Sequence, residues 1–174
     1  MLMGDPGRQR KKFEKPFRPF DKDRIEVEKA IMKEYGLRRK KELWRMEGTI
    51  RKFRRRARDL LAESDEKKEK ELLEKLEKLG LLKKGAKLED VLSLEVKDIL
   101  ERRLQTLVYK KGLANSVKQA RQMIVHRHVR VDGRVIEWPS YLVNKNEEDK
   151  ITSDIKVKEK KKGEKSGGKE RKEE

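Results

Sequence analysis

The sequence predicts an α+β protein: a mostly helical N-terminal region, then a small helix-helix-hairpin domain with a short antiparallel sheet, and finally a disordered basic tail. Three observations predict it. Apolar residues recur at three- and four-residue steps through most of the chain before residue 125. Strict alternation then flanks the Asp132-Gly133 pair, the signature of a tight hairpin. From Lys156 onward almost no apolar residue remains, so that stretch cannot offset the entropy of ordering. The changes of pattern divide the chain into an extended basic arm at 1–23, a helical basic region at 24–92, a compact domain at 93–155 and a flexible charged tail at 156–174.

In the arm, Pro6, Pro16 and Pro19 fall in a stretch without apolar period, which suits extended backbone that gains order on a partner. A helix is expected from Arg24 through Ile25, Ile31 and Met32, ending at Tyr35 and Gly36. A longer helix follows. Its apolar stripe is Leu43, Met46, Ile50, Phe53, Ala57, Leu60 and Leu61, and another face carries Arg51, Arg54, Arg55 and Arg58 at i, i+3, i+4 and i+7. Stacked like charges destabilise a free helix, and acids able to pair with this row are scarce in the sequence, so an anionic ligand is the natural compensation. Ser64 is the expected cap of the next helix, whose leucines are 72, 73, 76 and 79 and whose stop is Gly80. Charges nearly cancel there, and the helix reads as packing alone. Val96, Ile99, Leu100, Leu104, Leu107 and Val108 predict a single further helix closing at Gly112, with Arg102 and Arg103 on or beside its stripe.

Charge decides the class of partner. With 50 Lys+Arg against 33 Asp+Glu on 174 residues the net charge is +17 and the pI about 9.9, which favours a polyanion, nucleic acid foremost, since each neutralised phosphate releases counterions. A thermophile's ion-pair surface would account for 48% charged residues but not for their imbalance. Only 33% of residues are hydrophobic, too few for one large core. There is no cysteine, hence no disulfide framework and no thiolate metal site. No apolar run approaches the roughly 18 residues of a membrane span, and the basic opening lacks a secretory apolar region. A soluble cytoplasmic protein without cofactor or membrane contact is expected.

The stretch from Ser116 to Ile136 concentrates the candidate binding residues. Ser116 can cap a helix whose Val117, Ala120, Met123 and Ile124 share one side while Lys118, Arg121 and Gln122 share another. The second side offers cations and an amide suited to phosphate, sugar and base edges. Across the Asp132-Gly133 turn, Val129, Val131 and Ile136 lie on one face, His128 and Arg130 on the other. Lys118, Arg121, His128 and Arg130 are therefore expected on one basic surface, with Arg121 contacting a ligand and not bracing the fold. Trp138 and Tyr141 are expected to pack at edge and core, since a base-stacking sheet shows several aromatics at alternate positions. A further strand is expected to end near Ile151. His126 and His128 lack the additional ligands that zinc requires.

Residues 101–143, through "ERRLQ", "QARQMI", the pattern His-x-His-x-x-Val-x-Gly and "PSY", resemble the S-four RNA-binding domain. With "GDPGRQRKK", "EYGLRRKKELWR" and the arginine helix, about residues 4 to 153 resemble the ribosomal S-four family in its archaeal and eukaryotic branch. Val117 departs from the arginine many members carry there, Asp132 from their asparagine, and the cysteine zinc cluster of some bacterial members is absent. The resemblance implies a structural component of the small ribosomal subunit that binds ribosomal RNA and nucleates assembly. It also implies contact with neighbouring small-subunit ribosomal proteins, and a place near the messenger RNA where it enters. It makes Arg102, Arg103, Ser116, Lys118, Gln119, Arg121, His126 and His128 the RNA-facing set, to which the residue pattern adds Arg130 and the four arginines at 51, 54, 55 and 58. The alternatives are an RNA-anchoring part of an RNA-modifying enzyme or tRNA synthetase, and a free-standing RNA chaperone or translational regulator. No phosphate-cradling Gly-rich loop, nucleophile constellation or catalytic carboxylate pair supports an enzyme.

Overall fold

Asp21 opens the first helix by accepting a hydrogen bond from the Arg24 backbone N–H, satisfying one of the donors a helix start leaves unpaired. In the computed structural model, which describes residues 13–63 and 65–155, this helix is α1 (Lys22–Glu34), and it is followed by α2 (Lys40–Glu63). The turn between them uses Gly36 at φ +58°, a left-handed conformation that costs an L side chain about 1–2 kcal/mol. A methyl group at Gly36 would also meet Val117 Cγ1 at 3.0 Å and Gln105 Nε2 at 3.1 Å. The end of α1 is thus pressed against the C-terminal domain.

Leu43, Met46, Ile50, Ala57 and Leu60 of α2 are buried as the stripe requires, but Leu61 is exposed, at the helix's last turn. Next comes α3 (Glu66–Lys78), capped by Asp65, whose carboxylate accepts from the backbone N–H groups of Lys67 and Lys68. The expected cap, Ser64, is outside the described residues; Asp65 takes the position because a carboxylate also complements the positive end of the helix. A short helix absent from the sequence reading, α4 (Leu88–Ser93), buries Leu88 and Val91 against α2.

The single helix expected from Val96 to Gly112 is two, α5 (Val96–Glu101) and α6 (Leu104–Lys110). The interruption at Arg102–Arg103 is backbone-driven. Leu104 N–H donates to the Tyr141 carbonyl at 2.8 Å and Val143 N–H donates to the Arg102 carbonyl at 3.0 Å, forming an antiparallel bridge between Arg103 and Leu142 in place of a helical turn. Then follow α7 (Val117–Val125), β1 (Val129–Val131), β2 (Arg134–Val135), α8 (Lys145–Glu148) and β3 (Ile151–Ser153). The strands form one antiparallel sheet in the order β2-β1-β3, with Val131 opposite Arg134 on one side and Ile151 on the other. Asp132 and Gly133 turn the hairpin at φ 51° and 76°, both positive as a two-residue type I′ connection needs. The strand foreseen as ending near Ile151 begins there.

Three modest clusters among the described residues replace a single core. One joins Tyr35, Leu43, Met46 and Ile50 to Ile99 and Leu100. A second joins Ala57, Leu60, Leu72, Leu76 and Val91. The third holds α6, α7 and the sheet together through Leu104, Val108, Ala120, Ile124, Val129, Val131 and Ile151. Tyr141 packs on this last cluster, whereas Trp138 is 67% exposed and packs into none of the three. The expectation of a packed Trp138 is overturned: Ile136, two positions earlier, already fills the core position of that segment. The tail from Lys156 and the first twelve residues of the arm are outside the described residues.

Candidate nucleic-acid interface

Ser116 caps α7, its Oγ accepting from the Gln119 backbone N–H at 3.1 Å, while Gln119 Oε1 accepts from the Asn115 backbone N–H at 2.8 Å. Two sequence-predicted site residues thereby fix the start of the helix that carries Lys118 and Arg121. Lys118 is exposed and makes no ion pair among the described residues. At the other end His126 closes the helix, and Arg127 at φ 67° turns the chain into β1. That turn sets the His126 and His128 rings 6.5 Å apart and tilted by only 25°. Arg130, on the outer face of β1, pairs with Asp154 at 3.3 Å, both half exposed, an arrangement that contributes little and can open readily.

Three further candidate arginines, Arg102, Arg103 and Arg121, are engaged by partners within the fold. Arg102 donates to Glu148 at 2.7 Å and to the Val143 carbonyl at 3.1 Å, tying the α5–α6 junction to α8. Arg103 is only 1% exposed and donates Nη2 to Glu42 Oε2 at 3.0 Å. Arg121 grips both oxygens of the same carboxylate, each at 3.0 Å. The expectation that Arg121 has no structural part is therefore corrected: α7 turns it toward α2, where Glu42 waits 79 residues earlier in the chain. Burial alone would raise the Glu42 carboxyl, but hydrogen bonds from Arg121 and Arg103, with their charges, hold it below its ordinary value of 4.5. At Arg103 burial wins and pulls the guanidinium down despite Glu42. The carboxylate has two cations to offset its burial, whereas the enclosed guanidinium shares one anion. Arg103 remains charged at neutral pH, since a guanidinium keeps its proton in proteins.

Along α2 the four arginines are not equivalent. Arg54 turns inward and donates Nη2 to the Leu94 carbonyl at 2.6 Å. Arg51 pairs with Glu14 of the arm, and Arg55 approaches Asp59 at 4.0 Å, the limit of an ion pair. Arg58 is exposed without an ion pair among the described residues. Acids are nearer to this row than the sequence suggested: Glu14 comes from the arm, and Glu47 shares a 460 Å³ groove with Arg51, Arg54 and Arg58. Burial, then the nearby Glu28, push the Glu47 carboxyl up, against the opposing pull of Arg51.

Sequence reasoning missed the approach to α2. Arg38, Arg39, Lys41 and Arg45 line a cleft of about 330 Å³ whose other wall is Glu42, Arg103 and Arg121. The signal was in "RRKKELWR", residues 38–45, with five cations and one acid; its significance depends on which element faces it. Among the described residues no His, Cys, Asp or Glu side chains gather as a metal site, and no helix is long and apolar enough to cross a membrane.

Comparison with known proteins identifies this arrangement. The S4 domain family matches residues 102–149, the segment from the α5–α6 junction through α8. Over most of its length the chain is also similar to proteins named small ribosomal subunit protein uS4. That of Methanothermobacter thermautotrophicus is 50% identical over 152 residues, covering 86% of this chain and 89% of the relative. That of Nanoarchaeum equitans is 56% identical over 149 residues, covering 83% of each. That of Ignicoccus hospitalis is 51% identical over 152 residues, covering 86% and 92%. With at least half the aligned residues identical across more than four-fifths of its length, the chain belongs to the small ribosomal subunit protein uS4 family.

Proposed function

We propose that the chain is a structural, non-enzymatic component of the small ribosomal subunit that binds ribosomal RNA mainly through the phosphate backbone. The observation that carries this reading is the division of its cations. Arg54, Arg102 and Arg103 are committed to the fold, whereas Lys118, His126, Arg130, Arg51, Arg55 and Arg58 remain at the surface. The committed set ties α2 to the segment before α5 and to the α5–α6 junction, and that junction to α8, and the exposed set is what RNA meets. Ser116 and Gln119 serve by fixing the helix start, and His128 by presenting its ring beside that of His126. A role early in subunit assembly, contacts with neighbouring ribosomal proteins and a position near incoming messenger RNA extend the same proposal. So does attachment to the ribosome in the cytoplasm.

The test is binding of the full chain to small-subunit ribosomal RNA across a salt series. Six or more neutralised phosphates give a loss of about a thousandfold between 50 and 200 mM salt. Replacing Arg51, Arg55 and Arg58 together by glutamine is expected to flatten that slope and weaken binding about tenfold or more. A flat salt profile in the unaltered chain refutes the phosphate reading.

A further inference from the structure

The cleft between the approach to α2 and the C-terminal domain has no assigned occupant, and its chemistry is lopsided. Arg38, Arg39, Lys41 and Arg45 line one side, Arg103 and Arg121 the other, and Glu42 is the single acid among the lining residues. That acid is already shared by two guanidiniums. Arg103, 1% exposed at the base of the cleft, keeps Nε and Nη1 without a hydrogen-bond partner. A buried charge so incompletely paired is costly, and its field is weakly screened in the surrounding low dielectric. The volume of about 330 Å³ far exceeds a single water and reaches the lower range of small-ligand sites, about 300–1,000 Å³.

Resting on the functional reading above, we infer that this cleft is a docking site for one backbone phosphate of an RNA strand that then runs along α2. Guanidinium forks bind the oxygens of phosphate or carboxylate in bidentate fashion, and a nucleic-acid strand presents phosphates at regular spacing along a polymer. Arg39 and Arg45 clamp the phosphate at the mouth, while Arg103 and Arg121 supply positive potential from beneath. Glu42 sets the affinity, because it fixes Arg121 and subtracts one charge. A polymer is favoured over a free phosphate compound by continuity. Arg45 also lines the adjoining cleft with Arg51, Lys52 and Arg55, so cations extend about 15 Å along the helix from Arg45 to Arg55 at about 1.5 Å per residue. A lone phosphate compound has no use for the second cleft.

The experiment uses the full chain, isotopically labelled, and follows the arginine Nε–H signals of Arg103 and Arg121 by NMR while inorganic phosphate replaces chloride at constant ionic strength. Saturable shifts of both signals are expected. Arg39→Gln and Arg45→Gln, exposed positions whose loss leaves the fold intact, each weaken the binding about tenfold, and Lys84→Gln, in the loop before α4, leaves it unchanged. In parallel, the Arg39→Gln/Arg45→Gln pair is titrated with small-subunit ribosomal RNA and loses about tenfold or more in affinity. If the unaltered chain fails to bind that RNA, the functional reading falls. If it binds and the pair binds equally well, the cleft proposal falls and the functional reading stands. If phosphate saturates the cleft while the pair binds RNA normally, the occupant is a free phosphate compound and the RNA assignment is overturned.

Discussion

Replacing Glu42 by glutamine preserves the shape of the side chain and removes the only anion that pairs with Arg103 among the described residues. The carboxylate accepts three hydrogen bonds from two guanidiniums, all at 3.0 Å. Breaking one side of a buried pair costs about 3–5 kcal/mol because the surviving charge is stranded. Glu42 is 19% exposed, so water can reach part of the site, and the lower end, about 3 kcal/mol, is expected. For a chain of this size that corresponds to a fall in Tm of about 6–12 °C. Urea unfolding followed by far-UV circular dichroism measures it directly. Combining Glu42→Gln with Arg103→Met closes a double-mutant cycle, and the pair should show coupling of about 1–3 kcal/mol, since the apolar replacement leaves no stranded charge. A loss below about 1 kcal/mol for Glu42→Gln, or additivity in the cycle, refutes the reasoning that this carboxylate neutralises a charge the fold has enclosed.

Arg121→Ala is expected to cost about 1.5–3 kcal/mol by the same denaturation assay, the range for hydrogen bonds to a charged group, and a variant that melts normally would return Arg121 to the purely ligand-facing set. Gly36→Ala combines left-handed strain with contacts near 3.0 Å and should lose at least about 2 kcal/mol, measurable as a shifted urea midpoint. Ile124→Ala, which opens a cavity in the C-terminal cluster, should cost about 2–5 kcal/mol. Acid titration tests the carboxylate hubs. At Glu28 burial acts to raise the carboxyl, but Trp44, Lys40 and Arg24 outweigh it, and it lies below 4.5 as Glu42 does. A depressed folded value gives stability that is complete above the unfolded pKa and is lost as pH falls through the folded one. Stability should therefore hold toward pH 5 and decline below about 4.5, with raised Glu47 contributing in the opposite sense.

The hairpin and the stripes of α2, α3 and α7 were legible because each is decided by neighbours in sequence: a turn pair requiring positive φ, or apolar steps of three and four. Arg102–Arg103 shows the limit. The apolar period runs uninterrupted from Ile99 through Leu104 to Val108, so nothing local marks the break, which is imposed by pairing with Tyr141 to Val143. Arg121 was placed correctly on the polar side of α7, but what that side faces depends on the packing of α2, and a helical wheel contains no such information. Likewise the four arginines share a spacing and not a fate: Arg54 is drawn inward by a carbonyl forty residues away. Local periodicity determined which residues could be buried, and long-range pairing determined which cations were spent.

The two carboxylate hubs differ in a way that matters while the protein is being made. Among the described residues, those that close on Glu28, namely Arg24, Lys40 and Trp44, are all within 16 residues of it, so that hub can form as soon as α2 has left the ribosome. Glu42 must wait for Arg103 and then Arg121, which is 79 residues downstream, roughly 4–16 s at synthesis rates of about 5–20 residues per second. During that interval α1 and α2 stand as a prefolded helical pair with a hydrated acid at the future joint, and the domain that closes it is still unmade. Closure of the joint is thus a late, long-range step, timed by the emergence of α7, and it fixes that helix against one made 79 residues earlier.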